Sequence, residues 1–364
     1  MSRVLRWALL PALILGLTGL AAAAPAGLTE VGKPDMKSAG QLAFGPKGVL
    51  FVGDAQGGQV FAIGVDGTGE AIGPSFKLEN VNAKIAGLLG TAPDEVVIND
   101  VAVEPGTNLA YVSVARGKGP TAEPAIVRID GKGNATALPL DKVQYSKISL
   151  TSIPDANAPS TGKGGKGGTP RQQAITDLAF DGGKLYVAGL SNEEFKSSLR
   201  SIAFPFKEET TAGIEIYHTN HAKLETASPV RTFVPFNVGG EPQLLAAYTC
   251  TPLVAISVSS LKPGAKVHGK TVAELGSQNQ PIDMIVYEKD GKQFLLLSNT
   301  SRGVMKISTE SLDKQPALTE KVNGTAGLKY DTIDSLKGVQ QLDKLGNSNA
   351  LVLANGTLSA VALP

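Results

Sequence analysis

The sequence predicts an all-β fold in which short antiparallel meanders are repeated around an axis. Three observations carry this expectation. A unit of short apolar strands separated by tight glycine turns recurs along the chain. Glycine (42) and proline (22) are abundant while charged residues make up only 18% of 364, a balance that favours strands and turns over Lys/Glu-rich helices. Hydrophobic residues reach 42%, enough to fill a core.

The chain opens on a targeting pattern. Arg3 and Arg6 supply positive charge, Trp7 to Leu20 is apolar, and Ala21 to Ala24 are small. Ala24-Pro25-Ala26 fits a signal-peptidase site before Gly27. A cleaved signal peptide is therefore expected over 1–26, with a periplasmic or secreted mature chain over 27–364. A retained anchor is the competing reading, because the apolar run approaches the ~20 residues a span needs. No cysteine lies near the cleavage region, which removes a lipid anchor, and no later run is long and apolar enough to span a bilayer. No membrane span is expected after cleavage. Cys250 is the only cysteine, so no intramolecular disulfide can form and the core must hold the fold. The net charge of +1 offers no basic field for a phosphate backbone, so nucleic acid is not an expected partner.

The clearest unit runs from Gln41 to Val65. Gln41–Phe44, Val49–Asp54 and Gln59–Ile63 read as strands, with turns at Gly45-Pro46-Lys47-Gly48 and Gly57-Gly58 and an Asp66-Gly67 hairpin signal at the end. A second copy spans Asn99 to Gly131, and a third begins at Ile175 and continues through Lys184–Gly189. Gln243–Tyr248 and Leu253–Val258 fit a fourth with weaker punctuation. Ile282 to Ile307 gives a fifth, and Val339 to Leu363 a last one with only three strands. Leu28 to Val31 is expected to supply its missing strand and close the ring between the termini. The prediction is thus a single β-propeller of about six four-stranded blades, the pattern not deciding between six and seven; radial repetition protects strand edges. A pair of β-sandwiches is the alternative. Two stretches interrupt the pattern: a flexible Gly/Lys loop over 145–173, and an insertion over 191–211 carrying Phe195, Phe204 and Phe206. The run Gly162 to Gly168 superficially resembles a phosphate-binding loop, but Lys166 is followed by Gly167 where a Ser or Thr would hold magnesium.

The Gln41–Ile63 and Ile175–Gly189 units, with an apolar-Ala-Phe strand, a glycine turn and then Leu-Tyr/Phe-Val, resemble the blades of gluconolactonase-like and NHL-type propellers. The resemblance covers most of the mature chain and speaks to architecture. Members of those groups include metal-dependent lactonases, quinone-cofactor dehydrogenases and binding scaffolds, so it does not fix a function. In the lactonase-like members a Glu, Asn and Asp set holds a catalytic metal near the channel mouth.

In this chain Asp100, Asp177 and Asp283 occupy the same place in their units, with Asn99 and Glu241 nearby. Converging oxygens could hold calcium or another divalent metal. The competing reading is that each Asp caps a turn or binds backbone amides of the next blade. A second candidate set is His218, His221 and Cys250, which with Met284 or Met305 would suit copper, another metal or haem. Three residues apart, the two histidines would face opposite sides of a strand unless a turn intervenes. No G-x-S-x-G elbow, C-x-x-C-H or H-E-x-x-H motif occurs. Sequons at Asn134, Asn299, Asn323 and Asn355 carry little weight, because three of them sit at turns for backbone reasons. Three functions remain open: a monomeric binding or scaffold protein for a protein partner or small molecule, a metal-dependent lactonase-like hydrolase, and a metal-binding accessory of a periplasmic redox system.

Overall fold

The computed structural model describes residues 25–160, 168–249 and 251–364. The expected signal peptide over 1–26 lies almost wholly outside the described residues, as do Cys250 and most of the Gly/Lys run. No helix among the described residues is long and apolar enough to cross a membrane.

The fold is all-β. Glu30–Gly32 (β1) precedes a first meander of Leu42–Phe44 (β2), Val49–Asp54 (β3) and Gln59–Gly64 (β4). Lys77–Leu78 (β5) and one helix, Val81–Leu89 (α1), follow. The second meander is Val96–Val103 (β6), Ala110–Arg116 (β7), Glu123–Ile129 (β8) and Ala135–Ala137 (β9), after which comes Val143–Ser149 (β10). The third is Asp177–Asp181 (β11), Lys184–Leu190 (β12), Ser197–Ala203 (β13) and Glu209–His218 (β14), with Lys223–Glu225 (β15) folded back on the end of β14. The fourth is Val230–Val238 (β16), Glu241–Tyr248 (β17), Pro252–Ser257 (β18) and Lys266–Leu275 (β19). The fifth is Pro281–Lys289 (β20), Lys292–Asn299 (β21) and Gly303–Ser308 (β22), followed by Thr325–Gly327 (β23), which pairs with β19, and Tyr330–Thr332 (β24), which pairs with β22. The sixth is Val339–Leu345 (β25), Asn349–Ala354 (β26) and Thr357–Ala362 (β27).

These units are the ones the repeat pattern predicts, but the supposed interruptions are part of them. The stretch expected as an insertion over 191–211 contains β13 and the start of β14, the third meander's own outer strands. The loop expected over 145–173 begins as β10, which pairs antiparallel with β4 and so extends the first sheet.

The first strands of the six meanders touch in a closed cycle: β2 with β6, β6 with β25, β25 with β20, β20 with β16, β16 with β11, and β11 with β2. The cycle departs from chain order. The second meander lies between the first and the last, and the third lies on the first meander's other side. The chain therefore steps one way from the first meander, returns across it as β10, and continues the other way round. A buried ion pair secures the segment after this return. Arg200 Nε lies 3.1 Å from Glu209 Oε1, Arg200 also donates to the Thr151 carbonyl, and Thr151 N–H donates to Glu209.

Ring closure differs from expectation as well. The three strands at the C-terminal end receive their fourth from β5, with Leu78 opposite Leu358 and Lys77 opposite Ser359. Residues Leu28 to Val31 do not join the last sheet. β1 instead pairs with β10 on the outside of the first sheet. The third and fourth sheets are fused at their outer edges by parallel pairing of β14 with β19, Gly213 opposite Lys266 through Ile216 opposite Gly269.

Packing explains why the sheets close on one another. Successive side chains of a strand point to opposite faces, and here both faces are apolar. In β3, Val49 and Phe51 enter one hydrophobic cluster with Leu178, Leu185 and Val187 of the third meander. Leu50 and Val52 enter another with Leu109, Tyr111 and Ile126 of the second. In β21, Leu295 and Leu297 face the fourth meander, while Leu296 faces the sixth. The remaining two seams are filled the same way, one of them with α1 contributing Val81, Ile85 and Ala86. Phe51 is fully buried and meets Phe204 edge-on at 5.0 Å. One glycine is dictated by close approach: Asp54, fully buried, accepts bonds from the Lys37, Ser38 and Gly57 amides, and a Cβ on Gly57 would fall 2.1 Å from its carboxylate.

The β5–β27 pairing is directly testable. In a Cys250→Ser background, cysteines replacing Lys77 and Ser359 are expected to form a disulfide on mild oxidation, since paired strand positions meet the Cα separation a disulfide needs. Cysteines replacing Val31 and Ser359 are expected to stay reduced. Thiol counting after denaturation distinguishes the two.

Candidate functional site

The six innermost strands surround a cavity of about 510 Å3. It is lined by Asp100, Asp177 and Asp283 and, further along its own strand, by Asp343. Towards the ends of the strands the wall is Phe44, Phe180, Pro235, Val286 and Lys344. The sequence pattern indicates the first three carboxylates; Asp343 is an addition made by the structure.

Each of the four carboxylates makes the same pair of bonds. One oxygen accepts from the amide of the following residue: Val101, Leu178, Met284 and Lys344. The other accepts from an innermost strand of the neighbouring sheet. Asp177 takes Phe233 N–H at 2.7 Å, Asp283 takes Leu342 N–H at 2.8 Å, Asp343 takes Val103 N–H at 2.7 Å and Asp100 takes Leu42 N–H at 2.7 Å. All four point in one sense round the cycle, from third to fourth sheet, fifth to sixth, sixth to second and second to first. The other two seams carry no such bond among the described residues.

The carboxylates are partly exposed to the lumen and enclosed by protein on their remaining sides. Burial pushes Asp177 up to about 7, opposed by the bonds from Phe233, Thr232 and Leu178. Burial pushes Asp283 up to about 8 against the bond from Leu342, with the nearby charges of Asp177 and Asp343 acting in the same upward direction. Asp343 rises to about 6 for the same first reason. Asp100 is raised by burial and then by the charge of Asp283.

The other expected oxygen donors are placed differently. Asn99 donates its side-chain amide to the Ala39 carbonyl at 2.8 Å, and its own carbonyl accepts from Gln341 Nε2 at 3.0 Å, so it knits three sheets. Glu241 stands exposed at the β16–β17 hairpin, opposite Val238 and outside the residues lining the cavity. The structure therefore brings Asp100, Asp177 and Asp283 to one lumen and leaves Glu241 apart from them. The positions differ in kind: the aspartates lie on the innermost strands themselves, Glu241 at the turn that follows the far end of β16.

The histidine pair forms a separate cluster at the end of β14. The turn Thr219–His221 and Ala222, in the left-handed region at φ 52, reverse the chain into β15. That turn brings the two imidazoles to one side, with ring centroids 3.9 Å apart. His218 Nδ1 lies 3.0 Å from Glu225 Oε2 and His221 Nδ1 lies 2.7 Å from Glu225 Oε1. Burial raises Glu225, but the bonds from His218, His221 and Ser228 outweigh it and hold the carboxyl well below its usual range. The turn is anchored from below by the buried Glu274, which accepts from the hydroxyls of Thr219 and Thr251 and from the Gly276 amide. Sequence reasoning missed Glu225 because nothing in the spacing of 218, 221 and 225 shows the reversal at Ala222. Met284 lines the cavity and Met305 lies in a core cluster; Cys250 lies outside the described residues.

No family model matches the chain, and no curated protein matches it in sequence. Among solved structures it is similar to the extracellular domain of a one-component system from B. thetaiotaomicron, at 8% identity and a TM-score of 0.40, covering 92% of this chain and 40% of that one. The chain thus spans about two-fifths of that protein's length. It is also similar to a Kuenenia stuttgartiensis hydrazine synthase chain, at 12% identity and a TM-score of 0.36 over 91% of this chain and 97% of that one. A third similarity is to an oxidoreductase from Thermus thermophilus described as a glucose dehydrogenase, at 10% identity and a TM-score of 0.35 over 91% of this chain and 99% of that one.

Two outcomes follow from the carboxylates. Removing Asp343 by Asp343→Ala leaves the amide of the buried Val103 without its acceptor, and a buried donor left unpaired costs about 1–3 kcal/mol; urea denaturation is expected to show a loss of that order. The raised groups bind protons more tightly folded than unfolded. Their contribution is present below their unfolded value near 3.8 and is lost as pH rises through about 6, 7 and 8. The melting midpoint is therefore expected to fall between pH 5 and pH 8. A midpoint rising across that window would contradict the assignment.

Proposed function

We propose that the chain is an exported, six-bladed β-propeller that works as a binding protein, receiving a small, largely apolar molecule in its axial cavity. The observation that supports this most is the cavity itself, about 510 Å3 and lined from all six innermost strands. That size is within the range of small-ligand sites, and its wall combines apolar side chains with four carboxyl groups. The closed cycle of six first strands and the six shared hydrophobic clusters support the blade count.

A binding role is favoured over hydrolysis by how the carboxylates are used. Each of the four already accepts two backbone amides, one in its own strand and one in the next sheet, so both oxygens are engaged by the backbone. A ligand resting against Phe44, Phe180 and Val234 would find a preformed wall and would not need to order a loop. The N-terminal targeting pattern supports a periplasmic or secreted setting.

The test uses the uncharged apolar dye N-phenyl-1-naphthylamine as probe. Saturable binding near one equivalent is expected for the native chain. Ala179 lines the cavity, and Ala179→Trp is expected to abolish that binding while circular dichroism stays that of a folded β protein. Dye binding that persists unchanged in a folded Ala179→Trp variant would overturn the proposal.

A further inference from the structure

We propose that His218, His221 and Glu225 form a binding site for one divalent first-row transition ion of the zinc type, at the outer rim of the third sheet and separate from the axial cavity. Among the described residues, this is the one group of three or more His, Cys, Asp or Glu side chains whose ligand atoms all lie within 4.8 Å of one another. Two imidazoles and a carboxylate are a donor set suited to zinc, which accepts three protein ligands and leaves a fourth position open.

The local fold prepares these side chains. Ile216 is opposite Glu225 and His218 is opposite Lys223 in the β14–β15 pair, so His218 and Glu225 sit diagonally on one face of the ribbon. His221 joins them from the turn, whose geometry is fixed by Thr219 on Glu274 and by Asn220 Nδ2 on Thr251 at 3.3 Å. The first two donors and the anchor beneath them are buried or nearly so, whereas the His221 side chain is 48% exposed. The site is therefore rigid on the protein side and open to solvent on the other, which gives an ion an entry path.

The imidazole tautomers can also adjust to an ion. In the metal-free arrangement each Nδ1 faces an oxygen of Glu225 at hydrogen-bond distance. The other nitrogen of His218, Nε2, is buried and has no hydrogen-bond partner. Moving the proton of His218 from Nδ1 to Nε2 therefore breaks no bond other than the one the ion replaces. Zinc–nitrogen and zinc–oxygen distances near 2.0–2.1 Å imply ligand atoms about 3.3 Å apart in a tetrahedron. The present separations of 2.7 and 3.0 Å run to the two different oxygens of Glu225, and the three ligand atoms lie within 4.8 Å of one another, so seating an ion takes a local adjustment that rotation of the exposed His221 ring can supply. Ser228 Oγ, which donates to Glu225 Oε2 at 2.9 Å, would remain as an outer partner orienting the carboxylate. Lys223, 3.3 Å from Glu225 Oε1 and largely exposed, is free to swing into water as the ion enters.

The chain without residues 1–26, stripped with a chelator and dialysed, is titrated with zinc chloride by calorimetry, and its cobalt complex is followed by visible absorption. One equivalent is expected to bind. His221→Ala and Glu225→Gln are each expected to weaken binding by at least about tenfold and to remove the cobalt bands, with melting in chelator unchanged for His221→Ala. Cys250→Ser is expected to bind as the native chain does. His218 is buried and its replacement risks the fold, so the other two positions decide the outcome. The absence of saturable one-equivalent binding would overturn the proposal. So would binding left unaltered by His221→Ala and Glu225→Gln, or binding abolished by Cys250→Ser alone.

Discussion

Each sheet of this protein has two apolar faces, and neither can be left to water. That constraint governs the architecture. A strand such as β3 sends Val49 and Phe51 to one seam and Leu50 and Val52 to the other, so the first sheet must have a neighbour on each side. The same holds for every other sheet in the cycle, and a row of sheets obeying the rule has no end. Closure into a ring is the arrangement that leaves no apolar face exposed. Low charge and the absence of any disulfide follow naturally, because the seams carry the stability.

The carboxylates are the polar counterpart of this packing. At the axis the innermost strands diverge, and their amides on the lumen side lack strand partners. Aspartates at four joints supply acceptors to those amides and at the same time accept from the amide of the residue that follows each of them. An acidic ring that resembles a ligand site in sequence is in this way also a set of joints. Burial raises all four, Asp177 to about 7 and Asp283 to about 8, which limits the repulsion that carboxylates round one lumen would otherwise generate.

Much of this was legible in the sequence, and the limits of legibility have physical causes. Strands of five or more residues declare themselves by composition and by the turns that bound them. Asp100-Val101, Asp177-Leu178 and Asp283-Met284 share a pattern of Asp before an apolar residue; Asp343 escapes it because Lys344 follows, at a level where the side chain reaches solvent. β5, two residues long, and β1, three, have no periodicity to read, and their partners are chosen by the path of the chain. The reversal of order between the second and third meanders was equally hidden. Each meander looks the same to its neighbours in sequence, and only the seam chemistry decides which one sits beside which. The histidine cluster depended on a single left-handed residue, Ala222, a conformation that alanine does not advertise.

The pairing of β5 with β27 has a consequence for how the molecule comes into being. Leu78 is made long before Leu358, yet they lie side by side. Until β27 is made, β5 has no partner and the sheet it completes stays unfinished. Contacts between residues so distant in sequence are slow to form, because the entropy of loop closure must be met before they return anything. The ring can therefore close only once β27 is present, and a nascent form without it would present an open apolar flank to whatever holds it in the meantime.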